Sequence, residues 1–468
     1  MRDNIHPARL TRSRRAHLLA ITLPLGVVLV AGCTGSSGSP AAATARGAAT
    51  PSLSAISDCL VPPAACYTPS QFRVAYGIQP LLDRGIDGQG ETVTDLVPTV
   101  PTNAPAGSTT IIQAGSTTTQ AGPPPGQPPA VTDIRQDLER FDSLFRLPAA
   151  RIQVVTTLAG SASPWQASDG AVGDLEELHM VAPAATLRVV LMPASVFDSA
   201  KSATADMLAG LRRAVSDTDV VSISWSVGEH FFTKAQAAEM NSILLGAAAH
   251  HVTVIASSGG NGGFSDTWFG GTPVKEVSLP ASDPLVLAVG GTTLTMNPST
   301  GAYISETAWN GQAGFSVSGG ASGGGFSHLY ARPAYQDGVP GISAMRGVPD
   351  VAGDADQQGG LSIVVADGDQ TSIDPATGTS ASTPLWAGLM ALADQYAHHD
   401  LGFVNPAIYR IARSSSYHNA FHDVTAGSNI QTMPYPGGTA GYQAVPGWDP
   451  ATGWGSPDAQ VLVPLLAP

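Results

Sequence analysis

Short runs of apolar and β-branched residues recur along this chain at 92–97, 153–157, 187–192, 219–225, 252–257, 285–289 and 361–366. Runs of that length and character, bounded by Gly, Pro, Asp or Ser, predict strands. Between several of them lie longer stretches with helical spacing, at 131–145, 174–181, 200–215, 235–250 and 382–397. Strands alternating with helices mean βαβ units, and near-continuously apolar strands mean burial on both sheet faces. The expected fold class is therefore α/β, a doubly wound, mostly parallel sheet with helices on both faces. Ligands bind such sheets at the carboxyl ends of the strands.

The pattern is interrupted at 98–129, where Pro, Gly and Thr dominate and Pro123-Pro124-Pro125 occurs. This segment is expected to be an extended or disordered surface insertion between the first strand and its helix. At the N-terminus, Arg2, Arg9, Arg12, Arg14 and Arg15 precede an apolar run over 18–30 and then Ala31-Gly32-Cys33. That order predicts an export signal over 1–32, the apolar run being shorter than the ~20 residues of a spanning helix. Val30-Ala31-Gly32-Cys33 resembles a bacterial lipobox and Ser13-Arg14-Arg15 a twin-arginine signal. Cys33 is thus expected to be lipidated, holding the chain to a membrane at the cell surface, the alternative being a secreted chain. The Gly/Ser/Ala-rich residues 33–57 would be a flexible tether, and 58–468 the folded domain.

Composition narrows the partners. The net charge is −14, lysine occurs only at 201, 234 and 275, and no basic stripe follows the first fifteen residues. Without such a stripe to neutralise a phosphate backbone, the chain is expected to have no nucleic-acid partner. Besides Cys33 the chain has Cys59 and Cys66. In an exported chain, a close pair with no further metal ligands nearby predicts a disulfide.

The candidate chemistry centres on Gly378-Thr379-Ser380-Ala381-Ser382-Thr383-Pro384, followed at once by the apolar run 385–392. Small residues around Ser380, with proline in the first helical turn, leave its hydroxyl accessible and its N–H unpaired at the positive end of a helix dipole. An oxyanion formed by attack of Oγ on a carbonyl would be stabilised there, as in acyl transfer. An ordinary Ser/Thr-rich helix cap has the same local pattern.

Other motifs decide the context. Tyr67-Thr68-Pro69-Ser70-Gln71-Phe72, Ser222-Ile223-Ser224-Trp225, Ser322-Gly323-Gly324-Gly325-Phe326-Ser327, Arg346-Gly347-Val348-Pro349-Asp350 and the Ser380 run occur in that order. Together they resemble the sedolisin family of serine-carboxyl peptidases, whose catalytic domain is subtilisin-like, from about Cys59 to the C-terminus. The resemblance implies an exported endopeptidase working in acid on peptide or protein substrates, with Ser380 as nucleophile.

In that family a glutamate is the base, oriented by an aspartate four residues later. The aspartate matches Asp174, by its spacing to Ala182-Pro183, but the glutamate position holds Gly170. Asp169, five residues before Asp174, points elsewhere on a regular helix, and only a bend at Asp169-Gly170 would restore its reach. Glu176 and Glu177 are expected to be solvated helix-face charges, and His179 a surface or core histidine rather than part of a Ser-His-Asp triad. The family's oxyanion aspartate is replaced by Gly260, with Asn261 one residue late. Its calcium site is matched better: Asp423 and Asp449, with the carbonyls of Val424, Val445 and Gly447, would form one oxygen cage for Ca2+. The family is usually made with a large propeptide, whereas only the tether precedes this domain, so the expectation is either unassisted folding or a lost proenzyme control, the second fitting a chain no longer acting as a protease. Two readings follow: an acidic serine peptidase lacking its usual base, or a pseudopeptidase that binds a peptide or protein in the old cleft.

Overall fold

The computed structural model describes residues 66–99, 110–113, 116–119, 132–156, 166–167, 169–265, 273–311, 320–367, 370–433 and 438–467. The predicted signal over 1–32, Cys33, the tether over 33–57 and Cys59 lie outside the described residues. Cys66 is disulfide-bonded. Within the 98–129 insertion, Thr110–Gln113 and Ser116–Thr119 pair as an antiparallel hairpin. No helix among the described residues is long and apolar enough to cross a membrane.

The central sheet contains β1 (Thr92–Pro98), β2 (Arg151–Thr156), β3 (Thr186–Met192), β4 (Val220–Ile223), β5 (Thr253–Ser257), β6 (Leu287–Met296), β7 (Tyr303–Ala308) and β8 (Val351–Asp354). Their spatial order is β7-β6-β5-β4-β1-β3-β2, with β8 also paired to β6. Every pairing is parallel except β6 with the edge strand β7. Five long helices connect or cover these strands: α1 (Ile134–Phe145), α2 (Asp169–Val181), α3 (Ala200–Ala214), α4 (Lys234–Ala249) and α5 (Thr379–Ala397).

The pleat sorts the strand residues onto two cores. Val93, Val97, Leu187, Val189, Leu191, Val220 and Ile255 pack with α1, α2 and α5. Leu96, Val190, Met192, Val221, Ile223, Val254 and Ala256 pack with α3 and α4 on the other face. Alternate residues of each strand thus bury on opposite faces, which is why the strands read as unbroken apolar runs. The strand order reverses at β1, since β2 and β3 lie to one side and β4 to the other, and a cleft forms at such a switch point.

One predicted strand sits elsewhere. The run at 361–366 forms Gly360–Asp367, which pairs with Cys66–Tyr67 and Gln370–Pro375 in a separate sheet. The strand that completes the central sheet is β8, only four residues long, whose Ala, Gly and Asp carry little strand signal. The Arg346–Asp350 motif leads into it as a fully buried ion pair. Arg346 Nη1 and Nη2 reach Asp350 Oδ1 and Oδ2 at 2.7 and 2.6 Å. The Tyr409 hydroxyl and the Ala288 N–H donate to the same carboxylate, each at 2.8 Å.

Candidate active site

Ser380 stands in the first turn of α5, which starts at Thr379, three residues before the predicted 382–397 stretch, so that Pro384 falls inside the helix rather than in its first turn. Gly378 caps it with φ 88°. That left-handed conformation suits glycine, and a Cβ there would sit 3.0 Å from Ser380 Oγ. Thr379 Oγ1 donates to the Gly259 carbonyl at 3.0 Å, tying the helix mouth to the loop after β5. The N–H of Ser380 donates to no acceptor among the described residues. It is an orphan of the first helical turn, as an oxyanion donor must be.

Asp174 and Ser380 are brought together by the packing of α2 on α5. Asp174 hydrogen-bonds the Ser224 side chain, and Ser224 Oγ donates to the Ser380 carbonyl at 3.2 Å. Further along, a Cβ on Gly388 would lie 2.6 Å from Val181 Cβ. Contact at both ends means that the helices run side by side in the same direction, with their N-terminal ends at the cleft. Asp174 is buried, and desolvation pushes its carboxyl up to about 8. A hydroxyl has one hydrogen, so Ser224 serves the Ser380 carbonyl only while Asp174 is protonated and donates to Ser224.

Asp95, in the middle of β1, joins this group. It is fully buried, and desolvation, then the charge of Asp174, push it well above the usual carboxylate range. Sequence reasoning missed Asp95 and the linking role of Ser224. The available signal was an aspartate inside an otherwise apolar strand.

Among the described residues, the Ser380 hydroxyl is not aimed at a base. Among the described residues Oγ makes one hydrogen bond, donating to the Thr377 carbonyl at 3.2 Å. Gly170 lies one turn before Asp174 and is exposed. Asp169 is the first residue of α2, and its side chain lies outside the described residues. His179 is held away from the cleft: Nε2 is 3.0 Å from Asp142 Oδ1 and 2.7 Å from the Pro148 carbonyl.

The expectation that Glu176 and Glu177 are solvated is overturned, because both are buried. The Val364 N–H donates to Glu176 Oε2 at 2.7 Å, and desolvation pushes both carboxyls well up. The cause is tertiary: α2 packs against α1, α5 and the strand Gly360–Asp367, so that from Ala171 onwards it has no water-facing side.

On the opposite wall, Gly260 and Asn261 follow β5 and are both buried. The Ala321 N–H donates to the Gly260 carbonyl at 2.9 Å and the Gly323 N–H to Gly259 at 2.7 Å. The glycine-rich turn is squeezed there: a Cβ on Gly323 would fall 2.2 Å from the Ser258 carbonyl oxygen, and one on Gly324 1.8 Å from that of Pro450. Only glycine permits that approach.

The C-terminal loops also converge. The Gly447 N–H donates to Asp423 Oδ1 and Oδ2, both at 3.1 Å. The Val445 N–H donates to Asp449 Oδ2 at 3.0 Å, and the Ala451 and Thr452 N–H groups to Oδ1 at 2.8 and 2.9 Å. Val424 is buried with Ala308, Ala444 and Ala451. Among the described residues, the carbonyls of Val424, Val445 and Gly447 accept no hydrogen bond. Three free carbonyls beside two carboxylates are a donor set that a hard cation fits.

A nucleophile-type serine at a helix mouth, a buried aspartate on a neighbouring co-directional helix and a cleft at the sheet's switch point match a known group. Residues 153–455 match the model of the subtilase family of S8 peptidases. The chain belongs to the subtilase family. Within it the likeness is to the sedolisin group. The chain is 37% identical over 306 residues to kumamolisin from Bacillus sp., covering 63% of this chain and 50% of the relative. It is 32% identical over 344 residues to sedolisin from Pseudomonas sp., covering 71% of this chain and 55% of the relative. The chain thus spans about half the length of these curated relatives. A solved structure of Pseudomonas sedolisin, complexed with two molecules of pseudo-iodotyrostatin, superposes with TM-score 0.64 at 27% identity, over 85% of this chain and 97% of that one. The fold is subtilisin-like.

Proposed function

We propose that this chain is an exported domain of serine-carboxyl peptidase type that engages a peptide or protein in the cleft at Ser380, and that base-assisted hydrolysis has been lost from it. The observation that carries this reading is the Ser380 hydroxyl, which among the described residues donates to the Thr377 carbonyl and to no carboxylate. Gly170 and Gly260, where the family has its base and its oxyanion donor, support it. With neither group, a serine hydroxyl at its ordinary acidity is a weak nucleophile. The orphan Ser380 N–H and the Asp174–Ser224–Ser380 connection support retention of peptide binding.

Calcium held by Asp423, Asp449 and the carbonyls of Val424, Val445 and Gly447 is part of the proposal, supported by the three unpaired carbonyls. So is attachment to a membrane surface through a lipid on Cys33, supported by the signal pattern. The test is digestion of an acid-unfolded protein between pH 3 and pH 7 by the purified chain, beside Ser380→Ala. The expected result is equal, background cleavage by both, while a peptide library is retained by the folded chain. Cleavage that Ser380→Ala abolishes would instead favour the active peptidase.

A further inference from the structure

At the end of the sheet opposite Ser380, three carboxylates converge that the peptidase reading does not use. Glu91 immediately precedes β1, Asp219 precedes β4 and Asp400 follows α5. The amino ends of two neighbouring strands therefore meet the carboxyl end of the helix that carries the serine. One carboxylate oxygen from each acid lies within 4.8 Å of the other two. Calcium binds oxygen at about 2.3–2.6 Å, so oxygens spaced within twice that distance can share one ion. All three acids are partly buried. No Lys, Arg or His side chain among the described residues lies within ion-pair distance of them.

Asp394 supplies an independent sign. It is completely buried near the end of α5. The Leu401 N–H donates to Oδ1 at 2.8 Å, and Oδ2 has no hydrogen-bond partner. Buried carboxylates are normally paired, hydrogen-bonded or bound to a metal. Instead of a base, the charges that act on Asp394 are those of Glu91, Asp400 and Asp219; desolvation and then these charges push it up to about 8. A cation among the three acids would supply the positive field this oxygen lacks.

We propose that Glu91, Asp219 and Asp400, backed by Asp394, form a site for a hard divalent cation of the calcium class, separate from the 423–449 loops, which clamps the end of α5 to the amino ends of β1 and β4. An all-oxygen donor set selects calcium, magnesium or manganese over zinc and copper. The Thr92 N–H, donating to Asp219 Oδ2 at 2.7 Å, fixes one ligand in place. The ion would hold the far end of the helix whose near end positions Ser380.

The test is calcium binding by equilibrium dialysis of the full chain, with melting temperatures in chelator and in millimolar calcium. It is run at pH 8, where Glu91, pushed up to about 7 by burial and its acidic neighbours, is ionised. Wild type is compared with Glu91→Gln/Asp400→Asn and with Asp423→Asn/Asp449→Asn. The cluster variant is expected to bind one ion fewer than wild type. It should also melt higher than wild type in chelator, because repulsion is relieved, and gain less from calcium. The Asp423→Asn/Asp449→Asn chain should keep a calcium-dependent rise. Equal stoichiometry in wild type and the cluster variant overturns the proposal, as does an unchanged calcium gain. If Asp423→Asn/Asp449→Asn does not fold, the stoichiometry of the cluster variant against wild type decides alone.

Discussion

Restoring one side chain at the cleft tests how much of the peptidase machinery survives. Gly170 is the second residue of α2, four before Asp174, so a glutamate there shares a helix face with Asp174 about one turn away. Because α2 and α5 run together from the cleft, that carboxylate enters at the end where Ser380 stands. Gly170 is exposed, and exchanging a helical glycine for glutamate should add roughly 0.5–1 kcal/mol of stability. Asp174, held up to about 8 by burial, stays protonated in acid, so the new glutamate would ionise beside a neutral neighbour and could accept the Ser380 proton.

A positioned general base contributes about 10²–10⁴-fold, and one oxyanion donor about 10²–10³-fold, or roughly 3 kcal/mol. Groups that act as a unit are not additive, so Gly170→Glu with Gly260→Asp should give at least ~100-fold over wild type rather than the full product. The assay is hydrolysis of an internally quenched peptide from pH 3 to 8, for wild type, each single variant and the pair, each repeated with Ser380→Ala. Activity of the pair should rise through the glutamate's ionisation, fall as Asp174 ionises near 8, and vanish with Ser380→Ala. A folded double variant that cleaves no faster than its Ser380→Ala control would refute the placement of Ser380, Gly170 and Asp174 in one catalytic arrangement.

Three other outcomes follow from the structure. The buried carboxyls of Asp95, Asp174, Glu176, Glu177, Glu306 and Asp354 are all raised in the folded state, chiefly by desolvation. A raised folded value means stability that is present in acid and lost as pH climbs through it, for Asp174 up to about 8. Melting temperature should therefore fall between pH 4 and pH 8, less steeply in Asp174→Asn, and a rise over that range would contradict the burial argument. Asp350→Ala strands a fully buried guanidinium and should cost about 3–5 kcal/mol in urea denaturation; a loss under ~1 kcal/mol would mean the pair is dispensable. Chelator should lower the melting temperature of wild type by more than that of Asp423→Asn, and an equal drop in both would remove the cation from the 423–449 loops.

Local pattern was enough to place most elements of this protein, because α/β strands buried on both faces must be apolar throughout and their helices carry the 3.6-residue period. Motif order was enough to single out Ser380, Asp174, Gly170 and Gly260 as candidates, since each sits at a fixed short distance from a recognisable turn. The environment of the polar groups was not legible. Glu176 and Glu177 have the look of surface charges, and only the enclosure of α2 by α1, α5 and the 360–367 strand buries them. Asp95 reads as an irregularity in a strand until the pleat turns it towards Asp174. Glu91, Asp219 and Asp400 are 128 and 181 residues apart along the chain (219 − 91 and 400 − 219) and meet only because β1 and β4 are neighbours at the switch point. Sequence determined the elements and the family's marks, which are local; tertiary structure decided which carboxyls lose water and which meet, because desolvation and charge proximity depend on contacts distant in sequence.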